Sequence, residues 1–340
     1  MSSGVAGAIR AELDHKTKPP HSLGRLETLA VELGVAQRST SPTVDPARIV
    51  VFAGDHGVAA DGVSAFPSEV TAQMCANFTS GGAAVAVLAR AYGAALEVID
   101  VGVASDISHI DGMVHAKVAL GTDNLRTTAA IADDAMLAQA LRVGREATSR
   151  AVADGVRCLA LGEMGIGNTT SAAVLTALLC NGDAHTVTGR GTGLDEDGLA
   201  AKRVIVEEAI RRCMPYANDP RECLRQAGGL ELAALVGAML EAPAHGLPVV
   251  IDGYIVTAAA LVACRIDPAV RAQLIFAHRS MEPGHSLALS TLEAEPLLDL
   301  GLALGEGSGG ALALSLMRAA CAILRDMATF ADAGVSGAEH

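Results

Sequence analysis

The sequence of 340 residues has very few aromatic side chains, with no tryptophan, three tyrosines and five phenylalanines. Large aromatic rings therefore cannot fill its interior. Since 51% of the residues are nevertheless apolar, alanine, valine, leucine and glycine must do most of the packing. Small side chains of this kind are typical of helices that lie close against a parallel sheet. The chain is long enough for a large core and for one or two domains.

Positive charge is also scarce, because 25 lysines and arginines stand against 38 aspartates and glutamates and leave a net charge of −13. We therefore expect neither nucleic acid nor an anionic membrane as a partner. A phosphorylated ligand would need a local basic site against this background.

Metal motifs, disulfide patterns and targeting segments are absent too. The seven cysteines are odd in number and no two have C-x-x-C spacing, which predicts free thiols in a reducing compartment. No P-loop, G-x-S-x-G or H-E-x-x-H motif occurs. The N-terminus does not resemble a signal peptide, and no unbroken apolar run reaches about 18 residues. We expect a cytoplasmic protein with no membrane span and with neither a metal nor a cofactor.

Short apolar runs alternate with helical stretches along most of the chain. Five runs are predicted to be strands, at 48–53, 96–101, 157–161, 248–251 and 273–277. Helices are predicted at about 68–92, 133–154, 169–180, 196–213, 229–241 and 254–264. This order predicts an α/β protein with a doubly wound parallel sheet. The polar residues after the strands should collect at one edge, where such sheets bind ligands.

Both ends of the chain are helical by pattern and contain no predicted strand. Residues 1–38 form an amphipathic stretch broken at Lys18-Pro19-Pro20, and 308–331 form one long apolar helix. We expect these ends to pack together as a smaller helical unit.

Residues 162–170 contain three glycines, an acid and three short polar residues between a predicted strand and a predicted helix. The backbone N–H groups of such a loop commonly bind an anion, usually a phosphate. The alternative is a tight turn in which Asn168, Thr169 or Thr170 caps the helix. Glu163 favours the ligand site, because it follows a parallel strand at the edge where ligands bind.

A second glycine loop, 189–193, precedes a helix with one unusual side chain. At 100° per residue, Lys202 falls in the middle of the apolar face formed by Leu199, Val206, Ile210 and Cys213. A lysine on a core-facing stripe is costly unless it is paired. It would either extend its charged end to solvent or serve as a buried cation for a phosphate.

Glu306 lies between two glycines where the C-terminal helix should begin, with Ser308 as a candidate N-cap. A helix N-terminus favours the carboxylate form, which suits a general base. The alternative is an ordinary acid in the first turn of a helix.

A series of motifs runs nearly end to end and resembles the nicotinate-nucleotide–dimethylbenzimidazole phosphoribosyltransferase family. They lie at 18–27, 54–58, 62–67, 81–82, 121–122, 162–170, 189–193, 252–254, 280–285, 304–309 and 327–330. Two positions depart from the family pattern. His21 stands where glycine is usual, and Ala303 stands where arginine is common, which alters the charge near Glu306.

The resemblance implies a Rossmann-like large domain at 41–295, a small helical domain built from 1–40 and 296–340, and a homodimer. It implies transfer of the phosphoribosyl group of nicotinate mononucleotide to 5,6-dimethylbenzimidazole, giving α-ribazole 5′-phosphate and nicotinate in cobalamin nucleotide-loop assembly. Glu306 would be the catalytic base, and Glu163 would be a second acidic side chain in the catalytic site. The phosphate contacts would be Gly165, Gly167, Asn168, Thr169, Thr170, Lys202 and Ser280. The walls of the base site would be Phe66, Met74, Met164 and Leu304.

Two alternatives fit the same motifs. One is a related phosphoribosyltransferase that uses adenine or a phenol as acceptor, because pocket shape decides that preference. The other is a non-catalytic nucleotide-binding protein on the same fold, which would keep the phosphate loop but would not need Glu306.

Overall fold

The computed structural model describes residues 2–336, and a six-stranded, wholly parallel sheet lies at its centre. The strands in chain order are Ala47–Gly54 (β1), Ala95–Gly102 (β2), Val114–His115 (β3), Cys158–Met164 (β4), Val249–Ile251 (β5) and Leu274–Phe276 (β6). Across the sheet they lie in the order β3-β2-β1-β4-β5-β6. The winding therefore reverses between β1 and β4, and sheets of this kind bind ligands outside that reversal.

Fourteen α-helices connect and flank these strands within the described residues. They are Ser2–His15 (α1), Arg25–Gln37 (α2), Glu69–Ser80 (α3), Ala84–Ala91 (α4), Asp134–Ala153 (α5), Asn168–Cys180 (α6), Ala184–Val187 (α7), Glu196–Cys213 (α8), Pro220–Ala227 (α9), Leu230–His245 (α10), Tyr254–Ile266 (α11), Gly284–Thr291 (α12), Ser308–Asp326 (α13) and Phe330–Ala333 (α14). Short 3-10 helices occupy Gly57–Asp61, Met214–Tyr216 and Pro268–Gln273.

Helices cover both faces of the sheet. Alternate residues of a strand point to opposite faces, so Val50 and Phe52 of β1 enter the core shared with α5 and α10. Ile49 and Val51 enter the core shared with α2 and α13. The prediction of an α/β fold with a doubly wound parallel sheet is confirmed.

Several predicted boundaries were wrong for local reasons. Strand β4 continues through Met164 instead of ending at 161. The predicted helix 68–92 is two helices, because Gly81 adopts a left-handed φ of 83° and ends α3. The predicted helix 308–331 ends at Asp326, and Thr329 then caps the separate short helix α14 through a capping box. The edge strand β3 and the helices α9 and α12 were not predicted.

The helices from the two ends of the chain pack directly on the sheet. Helix α13 contacts α1, α2, α4 and β4. Ile9, Leu29 and Leu314 share one hydrophobic cluster with Ile49 of β1. The division into 41–295 and a unit made of 1–40 and 296–340 therefore stays a prediction.

Helix α13 is, in the part of the chain described, the one helix long and apolar enough to cross a membrane by length and composition alone. However, 56% of its apolar window is buried inside the fold. A core helix has the same composition, and the packing of α13 against the sheet accounts for its apolar residues.

Candidate active site

A cavity of about 590 Å³ opens at the carboxyl ends of β4, β5 and β6. Ten of the residues singled out from the sequence line it, namely Phe66, Met74, Glu163, Met164, Gly165, Asn168, Thr169, Ser280, Leu304 and Glu306. Three others, Gly167, Thr170 and Lys202, are not among the residues that line it. The cavity thus lies at the sheet edge where the polar strand ends were expected to meet.

Glu163 is the next-to-last residue of β4 and pairs in register with Phe52 of β1. Its side chain is buried, with 4% of the residue exposed, and its Oε2 accepts a hydrogen bond from Asn168 Nδ2. Burial raises the pKa of Glu163 to about 8, and the nearby Asp252 carboxylate acts in the same direction. The side-chain amide nitrogen of Asn168 is therefore already hydrogen-bonded to Glu163.

Glu306 lies in a tight turn just before α13. Its φ is 65°, between the left-handed Gly305 and Gly307, and such a backbone costs a non-glycine residue about 1–2 kcal/mol. A methyl group at Gly162 of β4 would lie 2.5 Å from the Gly307 nitrogen. That glycine therefore lets the turn sit directly against the strand, and the surrounding fold holds Glu306 in its strained conformation.

The environment of Glu306 differs from the sequence expectation. Gly307 is the N-cap, so Ser308 is not, and Glu306 lies ahead of the helix itself. Its Oε2 is buried and has no hydrogen-bond partner among residues 2–336. Burial raises the pKa of Glu306 to about 7, with the Asp252 carboxylate adding to it. The sequence argument considered only the preference of a helix start for the carboxylate form, whereas burial favours the protonated form of Glu306.

Asp252 was not singled out as a site residue, although it follows β5 and lines the cavity. Its Oδ2 accepts the Gly307 N–H at 3.0 Å, and its Oδ1 accepts the Gly310 N–H at 2.8 Å. These bonds satisfy N–H groups that the start of a helix leaves without partners. Burial raises the pKa of Asp252, while His278 opposes the rise. Asp252 therefore fixes the start of α13 and the turn that carries Glu306.

The acids of the cavity do not converge on one point. Glu163, Asp252 and Glu306 lie close enough for the Asp252 charge to raise the pKa of each glutamate. Yet within residues 2–336 no group of three or more histidine, cysteine, aspartate or glutamate side chains is arranged to hold a metal ion. Glu163 and Asp252 each accept hydrogen bonds within the chain, whereas Oε2 of Glu306 has no partner among residues 2–336.

The predicted phosphate loop is shorter than expected, because α6 begins at Asn168 with Gly167 as its N-cap and no side-chain cap. The alternative in which Asn168, Thr169 or Thr170 caps the helix was wrong. The N–H of Ile166 donates to Thr71 Oγ1 at 3.1 Å, and that of Thr170 donates to the Gly167 carbonyl.

Three donors of this turn are available to a ligand. The N–H groups of Gly165, Gly167 and Thr169 have no acceptor in the chain between residues 2 and 336. They lie at the positive end of α6, where an anion is favoured. The anion site thus rests on fewer backbone donors than the sequence suggested.

Lys202 is buried, with 1% of the residue exposed, as its place on the apolar face of α8 predicted. Its ammonium does not reach solvent, so the alternative of a charged end extended to water was wrong. Instead Nζ donates to Thr169 Oγ1 at 2.8 Å, which brings the cation to the first turn of α6. Burial lowers the pKa of Lys202 to about 8, and Glu282 opposes this shift. The cation and the N-terminal end of α6 therefore share one corner of the structure.

Part of the cavity lining is apolar. Phe66 and Leu304 are more than half exposed and lie at its mouth, while Met74 and Met164 are partly buried in the hydrophobic clusters behind it. A flat aromatic ring would find apolar contacts on several sides here. The cavity thus has both polar and apolar walls, and the Lys202 cation lies behind Thr169, one of its lining residues.

A buried pair beneath the anion turn was missed by sequence reasoning. His56 Nε2 lies 2.7 Å from Glu231 Oε1, and both side chains are fully buried. His56 Nδ1 lies 3.0 Å from Ser171 Oγ in α6. A methyl group at Gly167 would come within 3.1 Å of His56 Cβ, so the histidine supports the turn from below. His56 belongs to a polar motif after β1, but its partner is 175 positions away.

Known proteins of one family match this chain over nearly its whole length. The sequence model of a family described as "Phosphoribosyltransferase" matches residues 1–335. The chain is 48% identical over 324 residues to a nicotinate-nucleotide–dimethylbenzimidazole phosphoribosyltransferase of Pseudomonas aeruginosa, covering 95% of this chain and 92% of the relative. It is 48% identical over 337 residues to the protein of the same name in Chloroflexus aurantiacus, covering 99% and 95%.

Solved structures show the same similarity. The crystal structure of a protein named CobT from Thermus thermophilus matches with a TM-score of 0.94 at 46% identity, covering 98% of this chain and 100% of that one. A second structure from the same organism, of a nicotinate-nucleotide–dimethylbenzimidazole phosphoribosyltransferase, matches with a TM-score of 0.93 over 99% of this chain and 100% of that chain, also at 46% identity.

Proposed function

The chain belongs to the nicotinate-nucleotide–dimethylbenzimidazole phosphoribosyltransferase family, and on that premise we propose that it transfers the phosphoribosyl group of nicotinate mononucleotide to 5,6-dimethylbenzimidazole. The products are α-ribazole 5′-phosphate and nicotinate, a step in cobalamin nucleotide-loop assembly. One observation carries the proposal. A single cavity combines residues at the start of α6, apolar walls and a buried carboxyl oxygen of Glu306 without a partner in the described chain.

The phosphate of nicotinate mononucleotide binds at the start of α6. The N–H groups of Gly167 and Thr169 donate to it, and Lys202 supplies the positive charge behind Thr169. A phosphate beside Lys202 favours the charged ammonium, which offsets the effect of burial on its pKa. Ser280 lines the same cavity and completes the contacts in this proposal.

The bond that breaks joins C1′ of the ribose to the pyridinium nitrogen of nicotinate. The nitrogen already carries positive charge, so the electron pair of this bond returns to it without help from an acid. Positive charge then develops on the sugar, and Glu163 is the buried carboxyl group placed to stabilise it. A bound pyridinium cation also favours the carboxylate form of Glu163 and so opposes the rise in its pKa that burial causes.

The bond that forms joins C1′ to one nitrogen of the benzimidazole. Attack from the face opposite nicotinate converts a β-glycosidic bond into an α-glycosidic bond. The other nitrogen loses its proton to Glu306, whose Oε2 can accept it. A pKa of about 7 for Glu306 lies close to the neutral pH at which a general base works best.

The apolar walls support dimethylbenzimidazole as the acceptor. Phe66, Met74, Met164 and Leu304 offer surfaces for the ring and its two methyl groups, whereas adenine would present polar ring edges to them. A homodimer, which the sequence resemblance implies, and the cytoplasmic location expected from the cysteine pattern are part of the same proposal. Analytical ultracentrifugation of the purified protein measures its oligomeric state directly.

The decisive experiment incubates the protein with nicotinate mononucleotide and dimethylbenzimidazole and separates the products by chromatography. We expect α-ribazole 5′-phosphate, and adenine or phenol in place of dimethylbenzimidazole should give much less product. Faster turnover of adenine or phenol would support the other transferases, and no product with any base would support a non-catalytic protein. The same assay in EDTA tests the metal prediction, which a loss of turnover restored by magnesium would contradict.

A further inference from the structure

The loop 189–193 forms part of the cavity wall beside Thr169 and Lys202, a place that we call the anion end. A methyl group at Gly191 would come within 2.9 Å of Thr169 Oγ1 and 3.0 Å of Lys202 Nζ, so the loop lies directly against both. The Gly191 N–H donates to Glu282 Oε1 at 2.9 Å, which fixes this side of the loop. Any phosphate held by Thr169 and Lys202 would therefore touch or closely approach the loop.

The same loop holds a second segment, which carries the cavity-lining Phe66, through one side chain. Thr192 Oγ1 accepts the Ala65 N–H at 2.9 Å and lies 2.9 Å from Ser64 Oγ. Ser64 Oγ in turn accepts the Phe66 N–H at 3.1 Å. Each hydroxyl thus accepts one backbone N–H, and the two share a hydrogen bond. The segment 64–66 is tied to the loop by these bonds.

Packing alone leaves Phe66 loosely constrained, because 53% of the residue is exposed and Ala65 is exposed as well. The position of the Phe66 ring at the cavity mouth therefore depends on where its backbone is held. The Thr192 hydroxyl is the link between that backbone and the wall of the anion end. One threonine joins the loop that contacts Lys202 to the segment that carries Phe66.

We propose that Thr192 is a positioning residue that couples occupancy of the anion end to the placement of Phe66 at the cavity mouth. This proposal rests on the proposed function for the identity of the two ligands. A phosphate against the loop restricts its motion, and the loop then restricts the segment 64–66. Since the first ligand has already ordered these residues, the aromatic acceptor binds with a smaller entropy cost. By linkage, the acceptor strengthens phosphate binding by the same factor.

The test measures the equilibrium affinity for dimethylbenzimidazole with and without saturating inorganic phosphate, which fills the anion end without turnover. For the unchanged protein we expect phosphate to tighten dimethylbenzimidazole binding about 5–10-fold, the effect of a small hydrogen-bond network. Thr192→Val keeps the shape but lacks the hydroxyl, so the tightening should disappear. Thr192→Ser keeps the hydroxyl and should retain it. Phosphate affinity measured without dimethylbenzimidazole should be unchanged in both variants.

A second variant, Ser64→Ala, tests whether a loss of coupling reflects a loss of stability. It removes the acceptor for the Phe66 N–H and the hydroxyl that contacts Thr192, so it should also abolish the coupling. Its melting temperature should stay that of the parent protein. Equal tightening by phosphate in the parent protein and in Thr192→Val would overturn the proposal, as would no tightening in the parent protein. The proposed function fails separately, by the absence of product in the turnover assay, and coupled binding could still be observed in that case.

Discussion

The two glutamates of the cavity are held in opposite ways. Glu163 belongs to a central strand, is nearly inaccessible and receives a hydrogen bond from Asn168. Glu306 stands in a strained turn before a helix, and its Oε2 has no partner within residues 2–336. Burial raises the pKa of both, to about 8 and about 7. A carboxyl group that is already engaged is suited to supply charge, whereas one with an unengaged oxygen is suited to take a proton.

Replacing Glu306 with glutamine should have the largest effect on kcat. The amide fills the same space but cannot accept the benzimidazole proton, so kcat should fall by about 10²–10⁴. Both KM values should change little, because the contacts remain. Steady-state kinetics of the purified variant provide the measurement. If Glu306→Gln keeps a kcat near that of the parent protein, the assigned roles are wrong and Glu163 becomes the candidate base.

Lys202→Ala should affect a different kinetic constant and so separates binding from proton transfer. Loss of a buried, charged donor should raise the KM for nicotinate mononucleotide by about 10–100-fold. The KM for dimethylbenzimidazole should rise far less, because the lysine lies at the anion end. Lys202→Met is a matched control that keeps the length of the side chain without its charge, and it should behave like the alanine variant. Equal increases in both KM values would count against a phosphate role.

Glu163→Gln should cost less than Glu306→Gln, about 10-fold in kcat, because the amide still accepts the Asn168 hydrogen bond and only the charge is lost. A direct comparison of the two glutamine variants under identical conditions measures the difference. A larger loss for Glu163→Gln than for Glu306→Gln would reverse the assignment of base and electrostatic partner.

The pH dependence of kcat should show the smallest of these effects, and it distinguishes the role of Glu306 from that of Glu163. A base is active when deprotonated, and the pKa of Glu306 is about 7. Activity should therefore increase with pH through this region, so at pH 6.5 the rate would be about a quarter of its plateau value. Glu306→Gln should show no such acid limb, whereas Glu163→Gln should keep it. A limb that persists in Glu306→Gln would mean that another group accepts the proton.

The sequence predicted best those features that depend on local pattern. The helical period of Leu199, Val206 and Ile210 was enough to place Lys202 on the apolar face of its helix, although it left open whether the charged end reaches solvent. Alternating strands and helices were enough to predict the sheet and the edge at which the cavity lies. Each of these predictions depends on spacing along the chain, which the sequence displays directly.

Features that depend on distant partners were missed or misjudged. Asp252 looked like an ordinary polar residue after a strand, because the N–H groups that it binds lie 55 and 58 positions away. The pairs formed by His56 and by Thr192 likewise join distant segments. The ionisation of Glu306 was misjudged because the helix-start rule is local, whereas burial is a property of the complete fold.

The attachment of Glu306 to α13 has a consequence for the order in which the protein is made. All six strands and Lys202 have been synthesised by residue 276, and the glutamate follows 30 positions later. Asp252 accepts the N–H groups of Gly307 and Gly310 and so holds the turn that carries Glu306. A nascent chain could therefore form the sheet and the start of α6 before Glu306 is present. If Glu306 is the base, as we propose, catalysis begins only after the C-terminal helix has been translated and has docked.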